Sequence, residues 1–390
     1  MHYRGCVAFS SGRPARLPAE LVLGPNTMSE DALADHRILR VDTYPVRVLF
    51  PRNTGASAQF AGFGRELSSR VRVVTTDRGA RGWGHSVGAD IDSSGLLGRP
   101  LCELINLGAG VHPDAYHLDF ALHDLAGRIL EMPVGSLLGS HTAARVPCYY
   151  GSIGFEDVLP LDAPRGLGAL LDTCGEAVNA GHRALKLKIG RGQRWMGSAE
   201  GLQRDIEVTL AVRKLLPDVE ILVDANDAFS CDGALRYLEA ALDAGLFWVE
   251  ELFAEDRVDL LRVRELLAAR SPNTRVADGE TNFDVPKLMD LVRDGLVDVL
   301  LMDVARLGFT PWRSLLREFV GLGGAAAPHT CCNPLKFVYT AHLAAASSDV
   351  IAVETFDAEI SHMSLSDYAV QAGELKLSSA AGFGVPFSPP

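Results

Sequence analysis

Eight short apolar runs, each ending in polar or ionisable residues, recur roughly every 25 to 35 positions between residues 146 and 354. They cover residues 146–150, 184–189, 220–225, 246–251, 274–280, 297–303, 324–329 and 350–354. Strands covered on both faces read as short continuous apolar runs, and the stretches between these runs are amphipathic. One such stretch, residues 201–216, carries Leu202, Ile206, Leu210, Val212 and Leu215 near helical spacing, with charges elsewhere. Eight strand-then-helix units in about 200 to 250 residues is the size of a (β/α)8 barrel, whose reactive groups gather at the C-terminal ends of its strands. An open α/β sheet, which also binds ligands at strand ends, is the alternative.

The terminal residues of the runs are Tyr149 and Tyr150, Lys186 and Lys188, Asp224 and Asn226, Glu250, Glu280, Asp303, His329 and Glu354. Lys186 and Lys188 are two apart, as are Asp224 and Asn226, so each pair projects from one face of its strand, the interior face in a barrel. Two lysines in a confined space are costly unless anions answer them; on a surface strand they would simply be solvated. Asp224, Glu250 and Glu280 fall on three successive strands. Hard oxygen ligands in that number suit Mg²⁺, with Mn²⁺ an acceptable substitute, whereas no Cys and His set for zinc is present. Any one of these acids alone would read as a solvated rim residue. Asp303 and His329 end the next two runs; a carboxylate beside an imidazole orients it and supports its protonated form, giving a general acid or base. Glu354 ends the last run as a substrate contact or as rim charge.

In this order and spacing the motifs resemble the enolase superfamily, mandelate racemase subgroup, over about residues 38 to 388. The matching pieces are Lys-Leu-Lys at 186–188, Val-Asp-Ala-Asn at 223–226, Val-Glu-Glu at 249–251, Asp-Gly-Glu at 278–280, Met-Asp-Val at 302–304 and Pro-His at 328–329, preceded by residues 121–139. The resemblance implies that Asp224, Glu250 and Glu280 bind Mg²⁺ and that Lys188 is a base beside the substrate α-carbon. It places Lys186 near the metal-bound carboxylate, His329 paired with Asp303 on the opposite face, and Glu354 donating a hydrogen bond to the substrate carboxylate. Asn226 joins the substrate contacts. The chemistry so implied is abstraction of the proton α to a carboxylate through a metal-stabilised enediolate.

Residues 190–196 (Gly-Arg-Gly-Gln-Arg-Trp-Met), in a long 36-residue step from Lys188 to Asp224, resemble acid-sugar dehydratases of the family. The expected reaction is therefore dehydration of an acid sugar to a 2-keto-3-deoxy acid. Racemisation or epimerisation of a 2-hydroxy acid is the alternative, and a catalytically silent binding or structural relative is the alternative of another class. A free lysine is protonated at neutral pH, so Lys188 as a base needs its pKa lowered by roughly 3 units. A neighbouring lysine, the metal and partial burial all push that way.

Ahead of the barrel the rhythm changes. Residues 38–50, 70–77 and 80–88 read as antiparallel strands with a turn at Asp77, Arg78 and Gly79, followed by helical patterns near 96–107 and 113–131. The organisation expected is an extension of unknown role over 1–37, an α+β cap over 38–143, the barrel over 144–358, and a C-terminal segment, 359–390, that packs back on the cap. Between the first two strands, residues 51–64 are rich in Gly, Ala and Ser and read as a lid loop, with Arg52 the candidate for a distal hydroxyl or carboxylate.

A net charge of −12 argues against sequence-independent nucleic-acid binding, and no apolar run is long enough for a membrane span. Seven cysteines, odd in number and irregularly spaced, together with no recognisable signal peptide, lead us to expect reduced thiols and a cytoplasmic protein. Adjacent Cys331 and Cys332 read as small core or loop residues. The expected partner is a small-molecule carboxylate, bound by a homo-oligomer that contacts neither nucleic acid nor membrane.

Overall fold

The structure is a computed structural model that describes residues 27–87, 91–139, 142–281, 283–319 and 321–389. Most of the expected N-terminal extension, residues 1–26, lies outside them. Its remainder includes the helix Thr27–Ala34, whose Leu33 is buried against Ile38, Val74 and Leu101.

The cap begins with β1 (Ile38–Ala56), β2 (Ala61–Thr76) and β3 (Arg81–His85), an antiparallel sheet in which β1 and β2 are far longer than expected. Residues 51–64 are therefore not a lid loop. They extend the β1–β2 hairpin by pairing Thr54 with Gly64 and Ala56 with Ala61, leaving only residues 57–60 as the tip. Gly55, Gly62 and Gly64, whose φ values of +78°, +100° and +81° favour glycine, carry the register shifts that a regular alternation would not show. A short ribbon, β4 (Ile105–Asn106) and β5 (Gly110–Val111), and the helix Asp119–Ile129 complete this part of the chain.

The barrel consists of β6 (Arg145–Ile153), β7 (Ala184–Lys188), β8 (Glu220–Asp224), β9 (Leu246–Glu250), β10 (Arg275–Asp278), β11 (Val299–Leu300), β12 (Ala325–Ala326) and β13 (Val353–Thr355). Neighbours pair in parallel in chain order, β13 pairs with β6, and a parallel bridge from Ala326 to Val350 closes the ring. Small and aromatic side chains fill the interior: Tyr149, Ala184, Leu222, Trp248, Ala277, Val299, Leu301, Ala327 and Ala352 form one cluster. Leu185, Leu187, Val223 and Val249 face the helices instead. The period of two then places Lys186, Asp224 and Glu250 inside, directly after Ala184, Leu222 and Trp248.

Strands β10 to β12 end earlier than the apolar runs suggested. Glu280, Asp303 and His329 lie two to three residues beyond the last paired position, where the backbone is still tied by bonds such as His329 N to Leu301 O (3.0 Å). The helix Ser198–Leu215 buries Val208 and Val212, whereas Leu210 and Leu215 are exposed because a rotation of 100° per residue carries them off the buried stripe. That helix docks through Gly201, where a Cβ would come within 2.2 Å of the Gly192 nitrogen.

After the barrel, β14 (Glu359–Ile360) adds to β1, β15 (Val370–Gln371) pairs with β16 (Glu374–Lys376), and β16 runs antiparallel to β6. The C-terminal chain thus contacts both cap and barrel. No helix of the described residues is long and apolar enough to cross a membrane.

Candidate active site

The barrel interior brings together the strand-end residues that the sequence singled out, except Tyr150, which faces outward and bonds Arg52 and Asp357. Lys186, almost wholly buried, donates from Nζ to Glu250 (2.9 Å) and lies 3.0 Å from Glu354 and 3.5 Å from Asp224. Lys188 contacts Asp224 and donates to Asn226 Oδ1 (2.9 Å). One carboxylate oxygen each from Asp224, Glu250 and Glu280 lies within 4.8 Å of the others. Trp248 Nε1 holds the second oxygen of Glu250 (2.9 Å), and the Asn226 backbone N–H holds that of Asp224 (2.9 Å).

A divalent cation fits this triad. Glu280 Oε2 is buried with no hydrogen-bond partner, a costly state for a carboxylate oxygen unless a cation answers it. Burial and then Asp224 push the Glu250 carboxyl well above the carboxylate range, against the pull of Lys186. Burial would likewise raise Asp224, but Lys188 and Lys186 hold it well below that range. Hard oxygen donors in a group of three suit Mg²⁺.

Across the ring, through β6 and β13, His329 Nδ1 lies 3.1 Å from Asp303 Oδ2, and its Nε2 lies 3.2 Å from Glu280. Burial disfavours the imidazolium, but Glu280, Glu354 and Asp303 outweigh it and hold His329 well above its ordinary pKa. Carboxylates at both nitrogens favour the imidazolium form, and the Asp303 contact would persist where a cation neutralised Glu280. Asp303 is fixed in turn by Lys336 Nζ (2.6 Å) and, through its other oxygen, by the Ala305 N–H (2.9 Å).

Two expectations are revised by this geometry. Lys188 is held above the lysine range, because Asp224 and Glu280 overcome the burial that would lower it; the same carboxylates must be neutralised by a cation before its amine is free. Glu354 is held towards its ionised form: burial raises it, but Lys186, His329 and the Thr330 N–H (2.9 Å) bring it to about 2, so donation to a substrate would first require a proton. Gly151 makes room for it, since a Cβ there would lie 2.2 Å from Glu354 Oε1.

Arg52 reaches the cavity beside this site but is already engaged. It donates to Tyr150 Oη (2.5 Å), Glu176 (3.2 Å) and Thr173 (3.5 Å). The cavity, of about 750 Å³, lies between the hairpin and the loops after β6 and β7, with Lys188, Glu354 and Cys331 on its wall. The hairpin tip is pinned by Trp195 Nε1 to Ser57 O (2.9 Å) and Gln59 Nε2 to Asn226 O (2.6 Å). Cys331 is thus a cavity-wall residue, whereas Cys332 is buried; both are free thiols.

The sequence reading overlooked Lys336, Trp248, Thr330 and Glu251. Glu251 accepts from the Thr281 N–H (2.6 Å) and hydroxyl (2.8 Å), and burial, then Glu280 and Asp224, push it up to about 8. Its position in Val-Glu-Glu was a usable signal. Lys336 had none, because it reaches Asp303 from the helix Pro334–Ala346 across a loop. Asn226, Asp227 and Glu251 sit at φ of +44°, +58° and +42°, local strain concentrated at the exits of β8 and β9.

A barrel with acids, lysines and a histidine–aspartate pair at its strand ends defines the enolase type of site. Residues 169–389, more than half of the chain, match the enolase C-terminal domain-like family, and the chain belongs to it, within the mandelate racemase and enolase superfamily. The chain is similar to a galacturonate dehydratase from a Geobacillus species (TM-score 0.85, 28% identity, covering 91% of this chain and 95% of that one). It is also similar to a mandelate racemase/muconate lactonizing protein from Geobacillus sp. Y412MC10, solved with magnesium and tartrate (TM-score 0.84, 28% identity, covering 91% and 94%). Arabinonate dehydratase of Saccharolobus solfataricus is 26% identical over 59% of this chain, a match that spans only 57% of that enzyme.

Proposed function

We propose that this chain is a Mg²⁺-dependent acid-sugar dehydratase that removes the proton α to a carboxylate and expels the β-hydroxyl, giving a 2-keto-3-deoxy acid. The observation that carries this reading is the placement of Lys188 and of the Asp303-paired His329 at separate strand ends around one carboxylate triad. When bound by Asp224, Glu250 and Glu280, Mg²⁺ supplies a positive charge where negative charge develops on the substrate carboxylate.

The chain's own groups do the rest. Lys188, as the free amine, accepts the α-proton. Lys186 adds a buried positive charge beside the same carboxylates and so favours the transition state over the ground state. His329 gives a proton to the departing β-hydroxyl, which leaves as water, and Asp303 keeps the ring oriented for that transfer. The enol left behind takes a proton at C3 to become the keto acid. The dehydratases among the similar proteins support this reading.

Racemisation is the second reading, because the same two groups from separate strand ends would serve the two faces of the α-carbon. With acid sugars and Mg²⁺ in D₂O, dehydration yields a keto acid carrying deuterium at C3. Recovery of the C2 epimer as sole product, with no keto acid from any acid sugar, would replace dehydration by racemisation.

A further inference from the structure

The cavity that holds Lys188 and Glu354 extends to a second set of polar groups that the proposed reaction does not use. Glu156, in the loop after β6, is 7% exposed, lines the cavity, and has an Oε2 with no hydrogen-bond partner. Its neighbour Asp157 is spent on structure, paired with Arg191 at 2.7 Å. Glu156 has no such ion pair: burial raises its carboxyl pKa, and the backbone N–H groups of Glu156 and Gly154, then Arg52 and Arg191, only partly oppose this, leaving Oε2 unanswered. An orphaned carboxyl oxygen on the wall of a cavity is satisfied at least cost by a ligand that brings a hydroxyl.

Two guanidinium groups stand at the mouth of the same cavity. Arg65, at the start of β2, donates to Pro51 O (2.6 Å), and Arg165, just before the helix Gly166–Asn179, donates through Nε to Leu159 O (3.2 Å). Among the described residues neither forms an ion pair, in contrast to Arg52. The exposed Asp162 is the acid that shares this rim with them. Guanidinium forks match a carboxylate bidentately. A cavity of about 750 Å³ lies within the range of small-molecule sites and extends beyond the groups that act on the α- and β-carbons.

We infer that Glu156, Arg65 and Arg165 form a distal subsite in which Glu156 binds a hydroxyl and the two arginines bind a second carboxylate, so that aldaric acids are preferred over aldonic acids. This rests on the acid-sugar reading for the near end of the substrate. The far end is recognised by charge at the rim and by a single hydroxyl contact on the wall. Removing the hydroxyl partner leaves a buried carboxyl unpaired, which is how such contacts discriminate.

The test uses the full chain with Mg²⁺ and two panels, the six-carbon aldarates and the aldonates of matching configuration. Wild type should favour its best aldarate over the matching aldonate by about tenfold or more in kcat/KM, and R65A/R165A should collapse that ratio. Glu156→Leu should raise KM by about tenfold, while Glu156→Gln, which still offers a hydrogen bond, should recover most of the loss. An aldonate preference in wild type, or a ratio unchanged in R65A/R165A, overturns the subsite. If neither panel is turned over, the dehydratase reading fails but the subsite is still decided by calorimetry. Aldarate binding weakened in R65A/R165A supports it, and equal affinity of both proteins for aldarates refutes it.

Discussion

Arg191 offers the sharpest test of how the site is held, because its side chain is fully buried between two aspartates. It bonds Asp157 (2.7 Å) and Asp205 (2.7 Å), both with 0% side-chain exposure, and its Nη1 also donates to the Lys188 carbonyl (3.1 Å). Asp205 in turn accepts from the Gly190 N–H (2.9 Å), so one ionic cluster ties the exit of β7 to the helix Ser198–Leu215. Arg191→Met keeps the bulk and removes the charge. Breaking a buried pair by removing one partner costs about 3–5 kcal/mol, because the other charge is left uncompensated. Here two acids are left, with only Arg204 (3.6 Å from Asp157) as a further ion-pair partner among the described residues, so the upper part of that range is expected.

For a cooperative unit of about 200 residues, 1 kcal/mol moves Tm by about 2 °C, giving a fall of about 8–10 °C by calorimetry. The pH dependence has a definite sign. Burial already raises Asp205 in the intact cluster, with Arg191 opposing; without Arg191 it rises further. A buried acid with a raised pKa favours the folded state while protonated and loses that contribution as pH rises from the unfolded value, about 3.9, through the folded one. The gap between R191M and wild type should therefore be widest near pH 7 and narrow towards pH 4. A Tm within 2 °C of wild type, or a gap indifferent to pH, would show that the cluster contributes little.

Three further outcomes are expected. Glu280→Gln should weaken Mg²⁺ binding by about tenfold or more and abolish turnover while near-UV circular dichroism is retained; unchanged affinity by calorimetric titration would remove Glu280 from the site. Asp303→Asn should lower kcat by about 10²-fold or more with little change in KM, since it disorients His329 without touching the substrate; a wild-type kcat would assign the orientation to other contacts. Arg52→Ala should cost about 1–3 kcal/mol in thermal unfolding, as Tyr150 and Glu176 lose their partner, and should raise KM for every acid through the loosened hairpin. A KM change confined to substrates with one distal group would instead make Arg52 a direct contact.

Legibility followed the range of the physics. The barrel was readable because each strand is buried on both faces, so that Ala184 to Lys188 or Leu246 to Glu250 carry their own signal within five residues. The site was readable for the same reason: alternation places Lys186, Asp224 and Glu250 inward with no knowledge of partners. The hairpin was misread as a loop because its pairing, Thr54 with Gly64, is interrupted by glycines that mimic loop composition. Lys336 and Arg191 were missed because their partners are set by tertiary approach, 33 residues from Asp303 and 34 from Asp157, with no periodic signal to announce it.

Charge accounting ties the site together. Asp224, Glu250, Glu280, Asp303 and Glu354 are five acids, and Lys186, Lys188, Lys336 and protonated His329 are four cationic groups, all in one connected network. A lysine that is to accept a proton must be neutral, which leaves three cations against five acids. The difference of two is the charge of a divalent cation, and Glu250, driven upward by burial and by Asp224, shows that the acids cannot all be ionised on the strength of the protein's own cations. Buried acids that repel one another are a poor way to stabilise a fold and a good way to bind Mg²⁺. The Arg191 cluster, with its acids directly bonded to one guanidinium, supplies the rigidity that this network lacks.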